Sequence, residues 1–376
     1  MSKILPNEAS AGRDLAGVAP EMLRSLAGES TWLPAARSAV LIVVDGLGSI
    51  QLRAHRAHAR RLADAMPKKH IARSVFPSTT AAALTTLLTG AAPGSHGLVG
   101  YRVLDPDRGI LANQLNGYER DGLDPVTWQR EETIFERASA RGFTPFVVGM
   151  GEYRGSGLTA AILRGAEYVP ENDLAQRVRV ALALAAAAPG RLVYCYVPEL
   201  DKAGHARGVD SDEWRAALEA IDAAAAPALD PADGVGVVVT ADHGMVDVPR
   251  HRHVLLQDGD PRLAGVAQIG GEPRMLHLYL DAGASADEVA ATWRAESGAS
   301  CDVSTRDEAI GDGLFGVVAP HVRGRIGDVL VAARGAWAFY DDRVADKGPQ
   351  RMIGQHGSTT PDETSVPLIR RGAYAG

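Results

Sequence analysis

Phe76-Pro-Ser-Thr-Thr80-Ala-Ala-Ala-Leu-Thr85-Thr-Leu-Leu-Thr-Gly90 is the stretch around which this 376-residue chain is organised. Proline keeps Phe76 out of the helical region, so Phe76–Ser78 reads as an extended approach. From Thr80 onward the Ala/Leu/Thr run predicts a helix, with Gly90 as its stop. One hydroxyl, that of Thr79 or Thr80, therefore stands where a helix begins. Free backbone N–H groups and the positive end of the dipole suit an anionic phosphoryl group there. Threonine at such a place is also an ordinary N-cap, and it is a usable nucleophile once a metal ion or base takes its proton. The segment alone does not choose between these roles.

Upstream, Ala39-Val-Leu-Ile-Val-Val-Asp45-Gly-Leu-Gly48 is a continuous apolar run ending in Asp and Gly. That is the pattern of a central parallel strand whose carboxyl end opens into a site-forming loop, with Asp45 at its edge. Gln51–Met66 reads as one helix with a solvated basic face, and residues 71–76 as a short strand feeding the Thr80 segment. Downstream, Pro93–Gly97 is a turn cluster. Residues 98–104 and 109–115 can pair around Asp105-Pro-Asp-Arg-Gly109, Thr133–Arg141 and Asp173–Ala188 are helical, and Phe143–Met150 is a buried strand.

Three further loops carry chemistry. The strand-like Arg191–Pro198 runs into Glu199-Leu-Asp201-Lys-Ala-Gly-His205, where an Asp and a His four apart can converge on one point. After the helix Ser211–Ala226, the core strand Gly236–Thr240 ends in Ala241-Asp242-His243-Gly244-Met245. An adjacent Asp and His at a strand end would cost desolvation energy with no return if they were merely core. Gly354-Gln-His356-Gly-Ser358 flanks a histidine with glycines, and Ser365–Ile369 resembles a closing strand.

The composition is globular, and a net charge of −7 with no basic run argues against a nucleic-acid polymer as partner. The first residues lack the basic-then-apolar pattern of a signal peptide, and the longest apolar stretch, Val180–Pro189, is too short to cross a bilayer. A soluble, cytoplasmic protein without membrane partners is expected. Cys195 and Cys301 are isolated, which supports neither a disulfide framework nor a thiolate zinc site. The fold class expected is α/β: residues 1–248 and 346–376 form a catalytic core with a largely parallel sheet flanked by helices. Residues 249–345, where the pattern changes at His251-Arg-His253, form an inserted α+β cap. The triplet reads as a surface loop within reach of a substrate.

Five loops thus carry Asp45, Thr80, Asp201 with His205, Asp242 with His243, and His356. Four of them follow apolar runs expected in one parallel sheet, so their carboxyl ends can meet in one crevice. Three carboxylates, three imidazoles and a hydroxyl make two sets of ligands suited to Zn²⁺, with Mn²⁺ as the alternative.

This pattern resembles the alkaline phosphatase superfamily, and most closely its nucleotide pyrophosphatase/phosphodiesterase branch, over residues 39–249 and 350–370. The resemblance rests on six segments in the family's order: Val43-Val-Asp45-Gly, Phe76-Pro-Ser-Thr-Thr80 through Thr89-Gly90, Pro93-Gly-Ser-His96-Gly97, Glu199-Leu-Asp201-Lys-Ala-Gly-His205, Thr240-Ala-Asp242-His243-Gly-Met245 and Gln355-His356-Gly357. It implies an alkaline-phosphatase-like core and a two-metal hydrolase cleaving phosphodiester or pyrophosphate bonds through a covalent phospho-threonine. Counting back from Gly90 as the family does selects Thr80 as nucleophile. Asp201, His205 and His356 would hold one metal ion; Asp45, Asp242 and His243, with the Thr80 oxygen, would hold the second. Where the branch commonly has an asparagine that binds a phosphoryl oxygen, this chain has Tyr101. Its hydroxyl is the expected substrate contact, with Asn113 or Asn116 as the alternatives. A phosphonate hydrolase or phosphomonoesterase of the same superfamily is the alternative function. A monoesterase would need extra positive charge, for which Arg102, Arg154 and Lys202 are candidates. A catalytically silent metal-binding module is the third reading, against which the complete ligand set argues.

Overall fold

In the computed structural model, which describes residues 3–4, 13–67 and 70–375, the apolar runs pair into a six-stranded sheet. Its order is Ile369–Gly372, Val235–Thr240, Ser38–Val44, Arg191–Val197, Thr144–Gly149 and Glu167–Pro170. All neighbours run parallel except the first, which is antiparallel. Every residue of Ser38–Val44 and of Val235–Thr240 is buried, which is why these strands read as unbroken apolar runs rather than alternating ones. Helices Leu174–Ala187 and Asp212–Ala225 pack on each other, and the former packs on the sheet. Helices Val18–Leu26, Thr80–Thr89 and Ile134–Ala140 form a second packed group.

Helix Thr80–Thr89 is buried along its whole length. It tolerates four threonines because their hydroxyls are satisfied: Thr85 donates to the Ala81 carbonyl, Thr89 to the Thr85 carbonyl, and Thr86 pairs with His96 Nε2. Gly90 ends the helix in the left-handed conformation at φ 71°, with its N–H on the Thr86 carbonyl.

Three sequence expectations need correction. The run Gln51–Met66 is not one helix but two, Ser49–Ala54 and Arg60–Ala65. The start of the second helix is capped from afar: buried Asp222 accepts a hydrogen bond of 2.8 Å from Leu62 N–H. The strand before Thr80, Ile71–Arg73, is outside the main sheet. It pairs in a separate three-stranded sheet with Arg13–Asp14 and Ser365–Pro367. So only three of the four site-bearing runs share the central sheet. The closing segment splits likewise: Ser365–Pro367 joins that small sheet and Ile369–Gly372 the large one. Pro367 is tolerated because Ser365–Pro367 is an edge strand of its sheet, where a missing N–H can face away from the ladder.

Within residues 249–345 a four-stranded antiparallel sheet runs in the order Val266–Glu272, Met275–Leu280, Val329–Ala333, Cys301–Thr305, with helix Ala286–Ser297 against it. Leu278, Trp293, Val303, Val331 and Phe339 belong to its own apolar cluster. Met275, Phe315, Ile326 and Leu330 instead join the main core, and Phe315 meets Phe76 edge to face at 5.1 Å. The unit is anchored to the Thr80 segment directly.

Candidate active site

Asp45 follows Ser38–Val44, and its N–H is held by the Val197 carbonyl at 2.9 Å. Asp242 and His243 follow the neighbouring strand, and Asp201 and His205 lie one turn apart on helix Glu199–Arg207 after Arg191–Val197. The three adjacent strands therefore deliver their acids to one end of the sheet. His356 comes from the other direction, through a bridge between Ser78 and Gly357 that ties its turn to the Thr80 segment.

The side chains gather into two groups, Asp201–His205–His356 and Asp45–Asp242–His243. In each, one ligand atom per residue lies within 4.8 Å of the others. His243 Nε2 is 3.5 Å from Asp45 Oδ1 and 3.4 Å from Asp242 Oδ2, while His205 Nε2 is 3.4 Å from Asp201 Oδ1. Each histidine turns its other nitrogen to a backbone carbonyl: His205 Nδ1 to Gly354 at 2.8 Å, His243 Nδ1 to Gly244 at 3.1 Å, and His356 Nδ1 to Ser78 at 2.9 Å. Such contacts place the proton on Nδ1 and leave Nε2 as the ligand atom.

The donor set fits divalent cations on a physical test. Asp45 Oδ1, Asp201 Oδ1 and Asp242 Oδ2 are buried and find no hydrogen-bond partner among the described residues. Burial, then repulsion from Asp242 and Asp201, pushes the Asp45 carboxyl well above its usual range. Burial and then Asp201 push Asp242 up to about 7. His356 is held well below an ordinary imidazole by burial and by His243 and His205, and its ring stacks on that of His243 at 3.6 Å. The uncharged His356 imidazole beside mutually repelling carboxylates is what a bound cation stabilises.

Thr80 and Thr79 are separated by role. Thr79 is the N-cap, accepting from Ala82 N–H at 3.4 Å. Thr80, the first helical residue, is left to place Oγ1 3.0 Å from His243 Nε2. The seven residues the sequence singled out as ligands and nucleophile thus converge. Tyr196, read only as part of a strand, belongs with them: its hydroxyl donates to Asp45 Oδ2. The register that pairs Val43 with Tyr196 sets it beside Asp45.

A cavity of about 360 Å³ opens from Asp45, Thr80 and Asp201. Tyr153, Tyr168, Tyr194 and Tyr196 line it together with Leu84, Leu115 and Leu158, and Asn116, Glu119, Ser156, Thr159 and Lys202 supply polar groups. Tyr101 is not part of this lining, whereas Asn116 is. Asn113 is turned to the backbone, accepting from Leu115 and Asn116 N–H. Of the three candidate cations only Lys202 lines the cavity, and its Nζ is already 2.8 Å from Glu152. No residue of 249–345 lines it, His251 and His253 included.

The sheet, the helix that starts at Thr80 and the three acids and three histidines gathered beside it make an α/β protein with a candidate two-metal site at one end of its central strands. The sequence profile of the type I phosphodiesterase / nucleotide pyrophosphatase family matches residues 39–359, and the chain belongs to that family. An uncharacterised pyrophosphatase/phosphodiesterase of Schizosaccharomyces pombe is 26% identical over 193 residues, 49% of this chain; the match spans only 39% of that relative's length. Solved structures share the fold. A murine ectonucleotide pyrophosphatase / phosphodiesterase 5, an inactive variant in complex with AMP, superposes with a TM-score of 0.65 at 17% identity, covering 90% of this chain and 88% of that one. Phosphonoacetate hydrolase from Sinorhizobium meliloti, in complex with phosphonoformate, gives 0.67 at 21% identity over 90% and 91%. Among the described residues no helix is long and apolar enough to cross a membrane.

Proposed function

We propose that this protein is a two-metal hydrolase that cleaves phosphodiester or pyrophosphate bonds of small molecules through a covalent phospho-Thr80. The observation that carries the reading is the position of Thr80 Oγ1: at a helix N-terminus, 3.0 Å from His243 Nε2, at the mouth of a cavity that Asp45 and Asp201 also line. Two divalent cations, Zn²⁺ by the donor set with Mn²⁺ as the alternative, would lower the hydroxyl pKa of Thr80 and neutralise phosphoryl charge when bound. Asp201, His205 and His356 would hold one, and Asp45, Asp242 and His243 the other.

Thr80 Oγ1 attacks phosphorus in line with the departing oxygen, and water then cleaves the Thr80 ester. The N–H groups of Thr80 and Ala81, which the Thr79 cap leaves open at the start of the helix, would face the phosphoryl oxygens, where charge builds in the transition state. Asn116 lines the same cavity, which supports giving a phosphoryl-oxygen contact to its amide in place of Tyr101. The tyrosines offer broad apolar faces to a planar leaving group. A dianionic monoester would need a free cation, and the one lysine in the lining is paired with Glu152; this favours the diester. The alternative, a phosphonate hydrolase or phosphomonoesterase, would have to break that pair.

The test is turnover of bis-p-nitrophenyl phosphate against p-nitrophenyl phosphate by the zinc-loaded enzyme. A clear diester preference is expected, with dinucleotides and nucleotide sugars as the next substrates. A monoester preference would overturn the diester assignment and return attention to Lys202.

A further inference from the structure

The inserted unit contributes nothing to the cavity, yet it reaches the metal-ligand cluster at one place. Strands Val266–Glu272 and Met275–Leu280 pair Glu272 with Met275, so Pro273 and Arg274 form the tip of a tight hairpin. That tip is fixed within its own unit by Phe339 N–H on the Pro273 carbonyl and Ala333 N–H on the Arg274 carbonyl. The Arg274 side chain is fully buried, and its Nη1 donates to the Trp337 carbonyl at 2.6 Å. Nε and Nη2 form a two-pronged contact with Glu363, at 2.7 and 2.8 Å, and Glu363 is equally buried.

Glu363 is what connects the hairpin to the ligands. Its Oε1 also accepts from Ser358 N–H at 3.0 Å, two residues from His356, and its Oε2 accepts from the Thr360 hydroxyl at 2.6 Å. The inserted unit holds the same turn at a second point, where Ser358 Oγ donates to the Ala333 carbonyl at 2.6 Å. On the other side, a Cβ at Gly357 (φ 124°) would fall 2.6 Å from a Glu272 carboxylate oxygen, so the hairpin closes over that residue. The His356 turn is thus gripped between Ser78, from the Thr80 segment, and the hairpin tip. Gly244, next to His243, touches Glu363 only through its backbone carbonyl, at 2.8 Å. A change at the Glu363 carboxylate therefore acts on the His356 turn first.

We propose that Arg274, acting through the Glu363 carboxylate, is a positioning residue for His356, so that the inserted unit completes the Asp201–His205–His356 metal site instead of shaping the substrate cavity. The inference rests on the two-metal reading above. A planar guanidinium fits both carboxylate oxygens at once, which a lysine cannot do. Groups that hydrogen-bond a ligand histidine directly govern metal affinity by about 10- to 100-fold; Arg274, one step further out through Glu363, belongs at the low end of that range.

The experiment is zinc titration of the full-length protein against a chromophoric chelator, for wild type, Arg274→Met, Arg274→Lys and His205→Ala. Wild type should take up two zinc ions. Arg274→Met should weaken one of them by about tenfold, at the same site that His205→Ala removes, and leave the other unchanged. Arg274→Lys, which keeps Glu363 paired, should show a smaller drop at the same site and decides the matter if Arg274→Met does not fold. Two wild-type affinities in folded Arg274→Lys and Arg274→Met, or an equal fall in both, would overturn the proposal and leave the two-metal reading standing. Fewer than two zinc ions in the wild type would overturn that reading, and this inference with it.

Discussion

Thr80 Oγ1 and His243 Nε2 stand 3.0 Å apart, while the neighbouring Thr79 hydroxyl is occupied as the helix cap. The two threonines therefore predict different losses. Thr80→Ala should lower turnover of bis-p-nitrophenyl phosphate by at least about 10³-fold, because in the proposed mechanism it deletes the nucleophile rather than one stabilising contact. Thr79→Ala should cost about 1 kcal/mol of stability, as cap removal does, and retain most activity. Initial rates and thermal melts of both variants check this. Comparable activity in the two would remove Thr80 from the mechanism.

Tyr196 gives the second expectation. Burial, then Asp45 and Asp242, push its hydroxyl well above the ordinary range, so it stays protonated and donates to Asp45 Oδ2. Tyr196→Phe keeps the ring against Tyr153 and removes only that donor. Zinc affinity should fall about 10- to 100-fold, with little change in the melting temperature of the metal-free protein. Unaltered zinc binding would show that Asp45 needs no such partner.

Asp45 and Asp242 are legible in the sequence because strands buried on both faces leave continuous apolar runs, and an acid at the end of such a run stands out. Asp201 and His205 are legible by their spacing of one helical turn. What supports them is not. Tyr196 looks like any aromatic in a strand until the register beside Val43 is known. The carbonyls of Gly354, Gly244 and Ser78 that orient the three histidines are backbone groups and leave no mark in the sequence. The break in Gln51–Met66 depends on Asp222, far along the chain. The separate sheet of Ile71–Arg73 likewise depends on a pairing with Ser365–Pro367 that local pattern does not encode.

Asn116 and Tyr101 can be told apart by kinetics. Asn116 lines the cavity with Thr80, and the Asn113 side chain holds its N–H at 3.0 Å. Asn116→Ala should lower kcat/KM by about 10²-fold, in the range seen when a donor to developing charge is removed. Tyr101→Phe should leave kcat/KM within about twofold, since its hydroxyl is outside the lining. A large loss in Tyr101→Phe with none in Asn116→Ala would restore the tyrosine as the phosphoryl contact.

Removing metal should destabilise the fold. Without cations, Asp45, Asp201 and Asp242 each bury an oxygen that has no partner. With free zinc at a hundred times Kd, binding contributes about 2.7 kcal/mol per site. Melting temperature should therefore drop by several degrees on chelation and recover when zinc is returned in excess. Identical melts with and without chelator would argue against metal sites in the folded protein.

His277 gives a pH dependence that lies apart from the cluster of acids and histidines around Thr80. It is fully buried in strand Met275–Leu280, its Nδ1 accepts from Gly327 N–H at 3.2 Å, and its Nε2 meets no acceptor among the described residues. Burial first, and then Arg306, push its pKa down to about 3. In the unfolded chain the same imidazole titrates near about 6.5. Between those values the unfolded state binds a proton that the folded state refuses, so stability falls as pH drops below about 6.5. The limiting slope for one such group is about 1.4 kcal/mol per pH unit. His277→Asn keeps an acceptor for Gly327 N–H and removes the titrating group. Urea midpoints at pH 7.5, 6.0 and 5.0 should show the wild type losing ground to the variant as pH falls, whatever their order at pH 7.5. Parallel pH profiles would mean that His277 titrates alike in the folded and unfolded chains.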